Sequence, residues 1–385
     1  MKILYITFEN HNNINAWSGM MLNVAHSLEL NNNEIVYFDD IKLSFLSKVR
    51  IALQILLDKI TKKNTKYLRI PSVMKDMTRK IQKRVNLNDF DVIFTMRPHL
   101  ISYVEATKPI VVFADCNFQS MVNYYGSFSR LREKHIAECN KQEKLAFEKC
   151  NLGLFTSPWA MTTSSKNYNI PSNKFKCVYI GSNMSIKHSS EDVLKFINNR
   201  VQNPQKRILF VGVDWERKGG NIAVESVYLL NKMGYNCKLV VIGCNPPIKS
   251  DYLPYVEIVG RVNKSDKDGL ERLDSEYSKA FCFILPTKSE CAAVSLAESS
   301  SYGLYSFTSN TGGTDGVVFD GINGDRLSVD DGPEKYANAI KQLLDDEILY
   351  KRLSIEARKT FESTLNWNSV GYKISEFIKS VFAND

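Results

Sequence analysis

The sequence predicts an α/β protein of two doubly wound parallel sheets, each in its own domain, and three observations carry that reading. Short β-branched and aromatic runs alternate with longer helical patterns, which makes the repeating unit βαβ. Several runs are apolar throughout, as parallel strands covered on both faces are. At about 150 residues per domain, 385 residues make two domains, with three as the outer bound.

The first series of predicted strands is Lys2–Thr7, Glu34–Phe38, Val92–Thr95, Ile110–Ala114, Leu152–Thr156 and Phe175–Ile180. The second is Ile208–Gly212, Lys238–Ile242, Val256–Val259, Phe281–Leu285 and Tyr305–Thr308. Helical patterns at Met20–Leu30, Asn221–Met233 and Ala292–Tyr302 lie between strands. A polar stretch near 183–206, ending in Asn203-Pro204, separates the series. The expected domains are 1–182 and 183–365, with a last helix over 366–385 packing back on the first.

Composition narrows the class. An apolar fraction of 44% with 24% charged residues excludes wholesale disorder. No run of about 18 apolar residues predicts a membrane span. The opening MKILYITFEN reads as a buried strand and not as a signal peptide. The eight cysteines form no CxxC pair, which predicts reduced thiols in the cytoplasm and no zinc site.

Among familiar motifs, GxGxxG, GxxxxGK[ST], HExxH and GxSxG are all missing. That counts against dinucleotide oxidoreductases, P-loop NTPases, zincins and α/β-hydrolases. Two Asp-x-Asp triplets, Asp89–Asp91 and Asp266–Asp268, have the composition of a metal-diphosphate site, but solvated loop carboxylates give the same pattern.

Ligands of open parallel sheets bind outside the carboxyl ends of the strands, so the loops that follow strands carry the information. After the first strand, Asn15–Met20 contains Ser18-Gly19 at a helix start, which offers amide N–H groups to an anion or simply caps the helix. After the strand ending at Gly212 come Arg217-Lys218-Gly219-Gly220, two cations placed to oppose a diphosphate or to form a solvated turn. After Phe281–Leu285 comes Glu290, then a helix opening on small residues whose first-turn amides are open to a phosphate. Glu298 follows further along it. A fourth loop, Ser309–Gly316 with Asp320–Gly324, is rich in glycine and reads equally as tight turns or as a ligand contact.

These four loops, in this order, resemble retaining glycosyltransferases of the GT-B fold, family 4, the group 1 glycosyl transferases. The residues that carry the resemblance are Glu290 and Glu298 with seven between, Arg217-Lys218-Gly219, and Thr311-Gly312-Gly313 with Asn323-Gly324. The resemblance implies two Rossmann-like domains facing a central cleft and a nucleotide-diphosphate sugar as donor substrate, with neither cofactor nor metal. It implies that Arg217 and Lys218 neutralise the diphosphate beside Gly212, that Glu298 accepts from the ribose, and that Glu290 contacts the transferred sugar. Amides near Ala293 and Val294, with Ser18 and Gly19, would complete the phosphate cradle, and Val262 would wall the base. Asp115, after the fourth strand, stands where many members place a histidine near the reacting sugar; a helix N-cap is the other reading of it. Val213 replaces an arginine many members carry, a role left to Arg217, and Ala292-Ala293 replace a usual glycine.

The expected activity is hexosyl transfer from a nucleotide sugar to a hydroxyl of a glycan or lipid-linked saccharide, as in bacterial surface polysaccharide synthesis. The alternatives are a GT-B sugar-nucleotide epimerase or phosphorylase, or a non-catalytic membrane-binding module.

The net charge of +8 is local. Residues 41–85 carry thirteen Lys or Arg against Asp58 and Asp76, a net +11, and the rest of the chain is −3. Within them Ser44–Ile60 has apolar residues at 45, 46, 49, 52, 53, 56 and 57, close to the helical period. An apolar face with cations fits a helix lying on an anionic membrane, peripheral on the inner face of the cell membrane. A core-facing helix with a solvated basic side is the other reading. Neither involves nucleic acid.

Overall fold

The computed structural model describes residues 1–13, 16–39, 41–264 and 266–382. The chain divides into two compact units, Met1–Val178 with Val370–Asp385, and Tyr179–Ser369.

The first unit runs β1 (Lys2–Ile6), α1 (Met20–Leu30), β2 (Glu34–Phe38), α2 (Phe45–Thr61), α3 (Pro71–Arg84), β3 (Val92–Thr95), β4 (Ile110–Ala114), α4 (Phe118–Met121), α5 (Glu133–Lys149), β5 (Leu152–Phe155), α6 (Pro158–Tyr168) and β6 (Phe175–Cys177). The second runs α7 (Ser190–Gln202), β7 (Lys206–Val211), α8 (Gly220–Lys232), β8 (Cys237–Ile242), β9 (Val256–Gly260), α9 (Lys267–Lys279), β10 (Cys282–Leu285), α10 (Val294–Ser301), β11 (Ser306–Ser309), β12 (Gly324–Leu327), α11 (Pro333–Asp345) and α12 (Glu347–Ser363). The helix α13 (Trp367–Phe382) follows.

Each unit holds one six-stranded sheet, in the order β2-β1-β3-β4-β5-β6 and β12-β11-β10-β7-β8-β9, with every pairing parallel. The apolar strands predicted this. β3, β4, β5 and β10 are buried at every position, because helices cover both faces of a parallel sheet. Helix ends follow local chemistry. Ser189 and Asp192 form a capping box on α7, and Pro71, Pro158 and Pro333 open α3, α6 and α11. From Val370 onward α13 belongs to the first unit: a side chain on Gly371 would meet the Ser27 carbonyl oxygen at 2.1 Å, and Asn33 Nδ2 donates to Ser375 Oγ at 3.0 Å.

Two departures have physical causes. The sequence reading contains no β12, because GDRL has no β-branched residue; Gly324 is there for space, since a Cβ on it would lie 2.2 Å from the Ser306 carbonyl oxygen. The helix after Glu290 starts at Val294 and not at Ala292, so Glu298 lies only just over one turn inside it.

Strand order places the functional loops. In each sheet the chain first winds outward one way and then returns to the other side of the starting strand. The reversal lies between β1 and β3 in the first sheet and between β7 and β10 in the second. At such switch points the flanking loops part and leave room for a ligand.

Candidate active site

The loops after β7 and β10 meet at the second sheet's switch point, and backbone bonds tie them together. Lys288 N–H donates to the Arg217 carbonyl at 2.8 Å, and Thr287 Oγ1 to the same oxygen at 3.3 Å. Gly219, at φ 74°, caps α8 with no side-chain cap. A Cβ on it would sit 1.8 Å from the Pro286 carbonyl oxygen, so only glycine lets the loops close to this distance.

This closure brings together three of the expected residues. Lys218 Nζ forms an ion pair with Glu290 Oε2. Arg217 NH1 donates to the Ser289 carbonyl at 2.8 Å and approaches Glu290 Oε2 at 3.4 Å, while its Nε reaches Asp214 Oδ2 at 3.3 Å. The side chains of Lys218 and Glu290 are 11% and 8% exposed, so this is a nearly buried pair. Gly212 lies against it, its Cβ position 3.0 Å from Lys218 Cγ. Val213 points outward, 71% exposed.

The glycine-rich fourth loop positions Glu290 from behind. Gly313 N–H donates to the Glu290 carbonyl at 2.8 Å, and Thr311 Oγ1 donates to the Lys288 carbonyl at 3.4 Å. Asn323 is fully buried and structural: Nδ2 donates to Ser300 Oγ at 3.1 Å and to the Val317 carbonyl at 2.8 Å.

Ala293 precedes α10 without a side-chain cap; Leu296 N–H donates to the Ala293 carbonyl at 2.9 Å, and the first turn carries the positive end of the helix dipole. Glu298, on the same helix, is 1% exposed and has its own partners. Tyr277 OH donates to Oε2 at 3.0 Å, and Lys264 Nζ reaches Oε1 at 2.7 Å. Burial, then the Glu298 charge, pushes the Tyr277 hydroxyl well above its ordinary pKa, which keeps it a donor. Its ring stacks on Tyr302 at 5.2 Å and on Phe283 at 6.2 Å, fixing the hydroxyl on the glutamate. Val262 is half-buried beyond β9.

Ser18, Gly19 and Asp115 belong to the first unit; Asn15 of the same loop lies outside the described residues. Trp17, Ser18 and Gly19 are all left-handed, at φ 51°, 56° and 83°, and Gly19 caps α1 without a side-chain cap. A tryptophan and a serine in that region hold backbone strain, a recurrent feature of functional sites. Asp115 is not the N-cap: Asn117 is, accepting from Ser120 N–H at 3.0 Å, which leaves Asp115 half-buried with its charge acting on Arg97. Arg97 pairs with Glu9 and lies over the Trp17 ring at 4.7 Å.

Sequence reasoning missed Tyr277, Lys264, Glu9 and Arg97. Tyr277 and Lys264 lie on other segments than the glutamate they serve, with no spacing to connect them. Glu9 and Arg97 follow β1 and β3, so the switch-point rule pointed at their loops without naming them.

Three of the four Asp-x-Asp carboxylates have structural partners. Asp91 Oδ2 accepts from Lys2 N–H at 2.7 Å, Asp89 Oδ1 from Asn86 Nδ2 at 2.8 Å, and Asp266 Oδ1 from Gly269 N–H at 2.7 Å as the cap of α9.

Comparison with known proteins follows the same division. The family model described as "Glycosyl transferases group 1" matches residues 194–360, which include Arg217, Lys218, Glu290 and Glu298. No curated protein sequence matches the chain. Among solved structures, sucrose-phosphate synthase from Thermosynechococcus elongatus is similar over 100% of both chains, at 15% identity and a TM-score of 0.66. HepE from Anabaena, solved in complex with UDP, is similar over 99% of this chain and 100% of its own, at 14% identity and a TM-score of 0.67. WaaG, a glycosyltransferase involved in lipopolysaccharide biosynthesis, is similar over 98% and 99%, at 15% identity and a TM-score of 0.65. The chain thus has the GT-B fold of these glycosyltransferases, and its residues 194–360 match the group 1 glycosyl transferases.

Proposed function

We propose that the protein is a retaining glycosyltransferase that moves a hexosyl group from a nucleotide-diphosphate sugar to a hydroxyl of a glycan or lipid-linked saccharide. The observation that carries this reading is the convergence of Arg217 and Lys218 on the nearly buried Glu290 at a switch point, beside the uncapped start of α10. The family match over these residues and the UDP bound by HepE support a nucleotide-sugar donor.

Departure of a nucleoside diphosphate puts negative charge on phosphate while the sugar becomes oxocarbenium-like. Lys218 and Arg217, with the first turn of α10, hold that charge as it develops and so favour the transition state over the ground state. On binding, the diphosphate takes the two cations and Glu290 accepts from sugar hydroxyls in their place. Glu298, held by Tyr277, accepts from the ribose once Lys264 swings aside. Attack on the face that the leaving group vacates retains the anomeric configuration. The cation pair supplies what a divalent ion would otherwise supply, so turnover survives chelation. Reduced thiols fit a cytoplasmic site of action: no disulfide forms among the described residues, and burial pushes the thiols of Cys139, Cys150 and Cys237 up to about 12.

The test is a panel of nucleotides and nucleotide sugars, read first by thermal shift and then by product analysis. A ligand at 100 times its Kd adds about 2.7 kcal/mol of stability. One nucleoside diphosphate should stabilise the protein, and its sugar conjugate should be turned over with the product's anomeric configuration unchanged. No stabilisation by any of them, or a strict manganese requirement, overturns the reading.

A further inference from the structure

Helix α2 is mounted with its polar side inward. Its buried residues are Ser47 and Asp58, and Phe45, Leu46, Leu53 and Ile60 are 79%, 79%, 63% and 72% exposed. Val49, Leu56 and Leu57 are exposed as well. At about 100° per residue these seven side chains share one arc of about 120°, an unbroken apolar stripe. The core-facing reading of this helix therefore fails: of its apolar residues, Ile51 packs against the core while the stripe faces solvent.

Polar contacts hold the helix this way up. Ser44 N–H and Ser47 Oγ both donate to Asp76 Oδ2 of α3, each at 2.8 Å. Asp58 accepts from Gln54 at 3.0 Å, Thr65 at 3.0 Å, Tyr67 at 3.1 Å, and from Arg132 of the α5 N-terminus. Burial pushes the Asp58 carboxyl up, but these hydrogen bonds outweigh it and hold it below its ordinary value. Rolling the stripe inward would turn Asp58 out to solvent and leave Arg132, Thr65 and Tyr67 without the carboxylate they donate to.

Charge selects the occupant. On the same projection the exposed Arg50 borders one edge of the stripe and the exposed Lys48 and Lys59 the other, and the exposed Lys62 and Lys63 follow the helix end. An apolar arc between two cationic edges matches an interface whose interior is hydrocarbon and whose rim is anionic. A second copy of the chain would set like-charged rims against each other. At 17 residues α2 is about 25 Å long, and among the described residues no helix is long and apolar enough to cross a membrane, so it lies in the plane.

We propose that α2 docks the first unit on an anionic lipid surface, with Phe45, Leu46, Val49, Leu53, Leu56 and Ile60 entering the headgroup–acyl boundary and the flanking cations on the headgroups. This does not rest on the catalytic reading, which nucleotide binding in the absence of lipid tests separately.

Flotation of the full chain with phosphatidylcholine vesicles, with or without phosphatidylglycerol, decides it. The protein should float with the anionic vesicles at low salt and leave them at high salt. Leu53→Gln/Leu56→Gln/Ile60→Gln should weaken partitioning at least about a hundredfold. Lys48→Gln/Lys59→Gln should weaken it roughly 25-fold, since each headgroup-facing cation contributes about fivefold. Because these positions are exposed, both variants should melt as the parent does. No flotation at low salt, equal binding to neutral vesicles, or undiminished binding by the first variant overturns the proposal. So does a dimer that sedimentation shows without lipid and that the first variant abolishes.

Discussion

α1 and α8 each follow the first strand of their sheet, and each is capped by a left-handed glycine, Gly19 at φ 83° and Gly219 at φ 74°, with no side-chain cap. The chemistry around the two helix starts differs. Before Gly219 stand Arg217 and Lys218, facing a nearly buried glutamate from the loop after β10. Before Gly19 stand Trp17 and Ser18, and the cation comes from another loop, as Arg97 paired with the half-exposed Glu9. The shared topology supplies a glycine-capped helix start in both units, but only the second backs it with its own two cations. Under the proposed function, this difference suits a donor site in the second unit and an acceptor side in the first.

The largest effect that tests this contrast is on activity. In the proposed reaction Lys218 opposes the charge on the leaving phosphate, so Lys218→Ala should lower transfer by about 10³-fold, in line with the loss of one preorganised stabiliser. It also leaves the nearly buried Glu290 with Arg217 as its cation at 3.4 Å, at a cost of about 1.5–3 kcal/mol in stability for the lost charged hydrogen bond. Lys218→Met with Glu290→Gln should recover most of that stability and none of the activity, as a double-mutant cycle by calorimetry and product assay will read. Recovery of activity in the double variant would make the pair structural and erase the contrast.

Next in size are the glycines themselves. Gly219→Ala drives a methyl into the Pro286 carbonyl from a left-handed backbone, and should cost about 3 kcal/mol or more. Gly19→Ala meets the same backbone penalty and should cost about 1–2 kcal/mol. Equal losses in denaturant melts would show that the tight closure of the second switch point has no energetic weight.

The two units were also unequally legible in sequence. The second site is nearly contiguous: Arg217-Lys218-Gly219 is one tripeptide, and Glu290 precedes a helix whose small residues are visible in the sequence. The strands were legible because parallel strands buried on both faces are continuous apolar runs, whereas β12, an edge strand of four mostly polar residues, has no such signal. The first unit's cluster joins residues 9, 17, 97 and 115, which only the strand order assembles. Tyr277 was illegible for the same reason. The amphipathic period of α2 was legible, but not which side faced in, because that depended on Asp58 finding partners as distant as Arg132.

Tyr277→Phe sharpens the comparison at a smaller scale. It removes the donor on a fully buried Glu298 oxygen and should cost about 1–3 kcal/mol, together with a weaker grip on the nucleoside. Arg97→Gln, acting on a pair whose side chains are 20% and 27% exposed, should cost less than about 1 kcal/mol. A reversal of that order, in melts of the two variants, would put the tighter acid in the first unit.

The smallest effect separates the units by acid. The first contains His99, which burial and then Arg69 and Arg97 hold well below its ordinary pKa, and His135, which burial and then Arg69 lower to about 4. A histidine whose folded-state pKa is depressed takes up its proton in the unfolded chain first. Its contribution to stability is therefore complete above the unfolded value near 6.5 and is lost as the pH falls from there toward 4. Asp58 and Asp76, with lowered carboxyl values, keep their contribution down to their unfolded value of 3.8, so they are silent in this window. Calorimetric melts between about pH 7 and pH 5 should thus show the first unit losing stability ahead of the second. His135 Nε2 accepts from Lys66 N–H at 3.0 Å, a bond that a glutamine oxygen can also accept. His135→Gln should flatten the first unit's pH slope while leaving its melting at neutral pH close to that of the parent; an unchanged slope would remove His135 as a source of acid sensitivity.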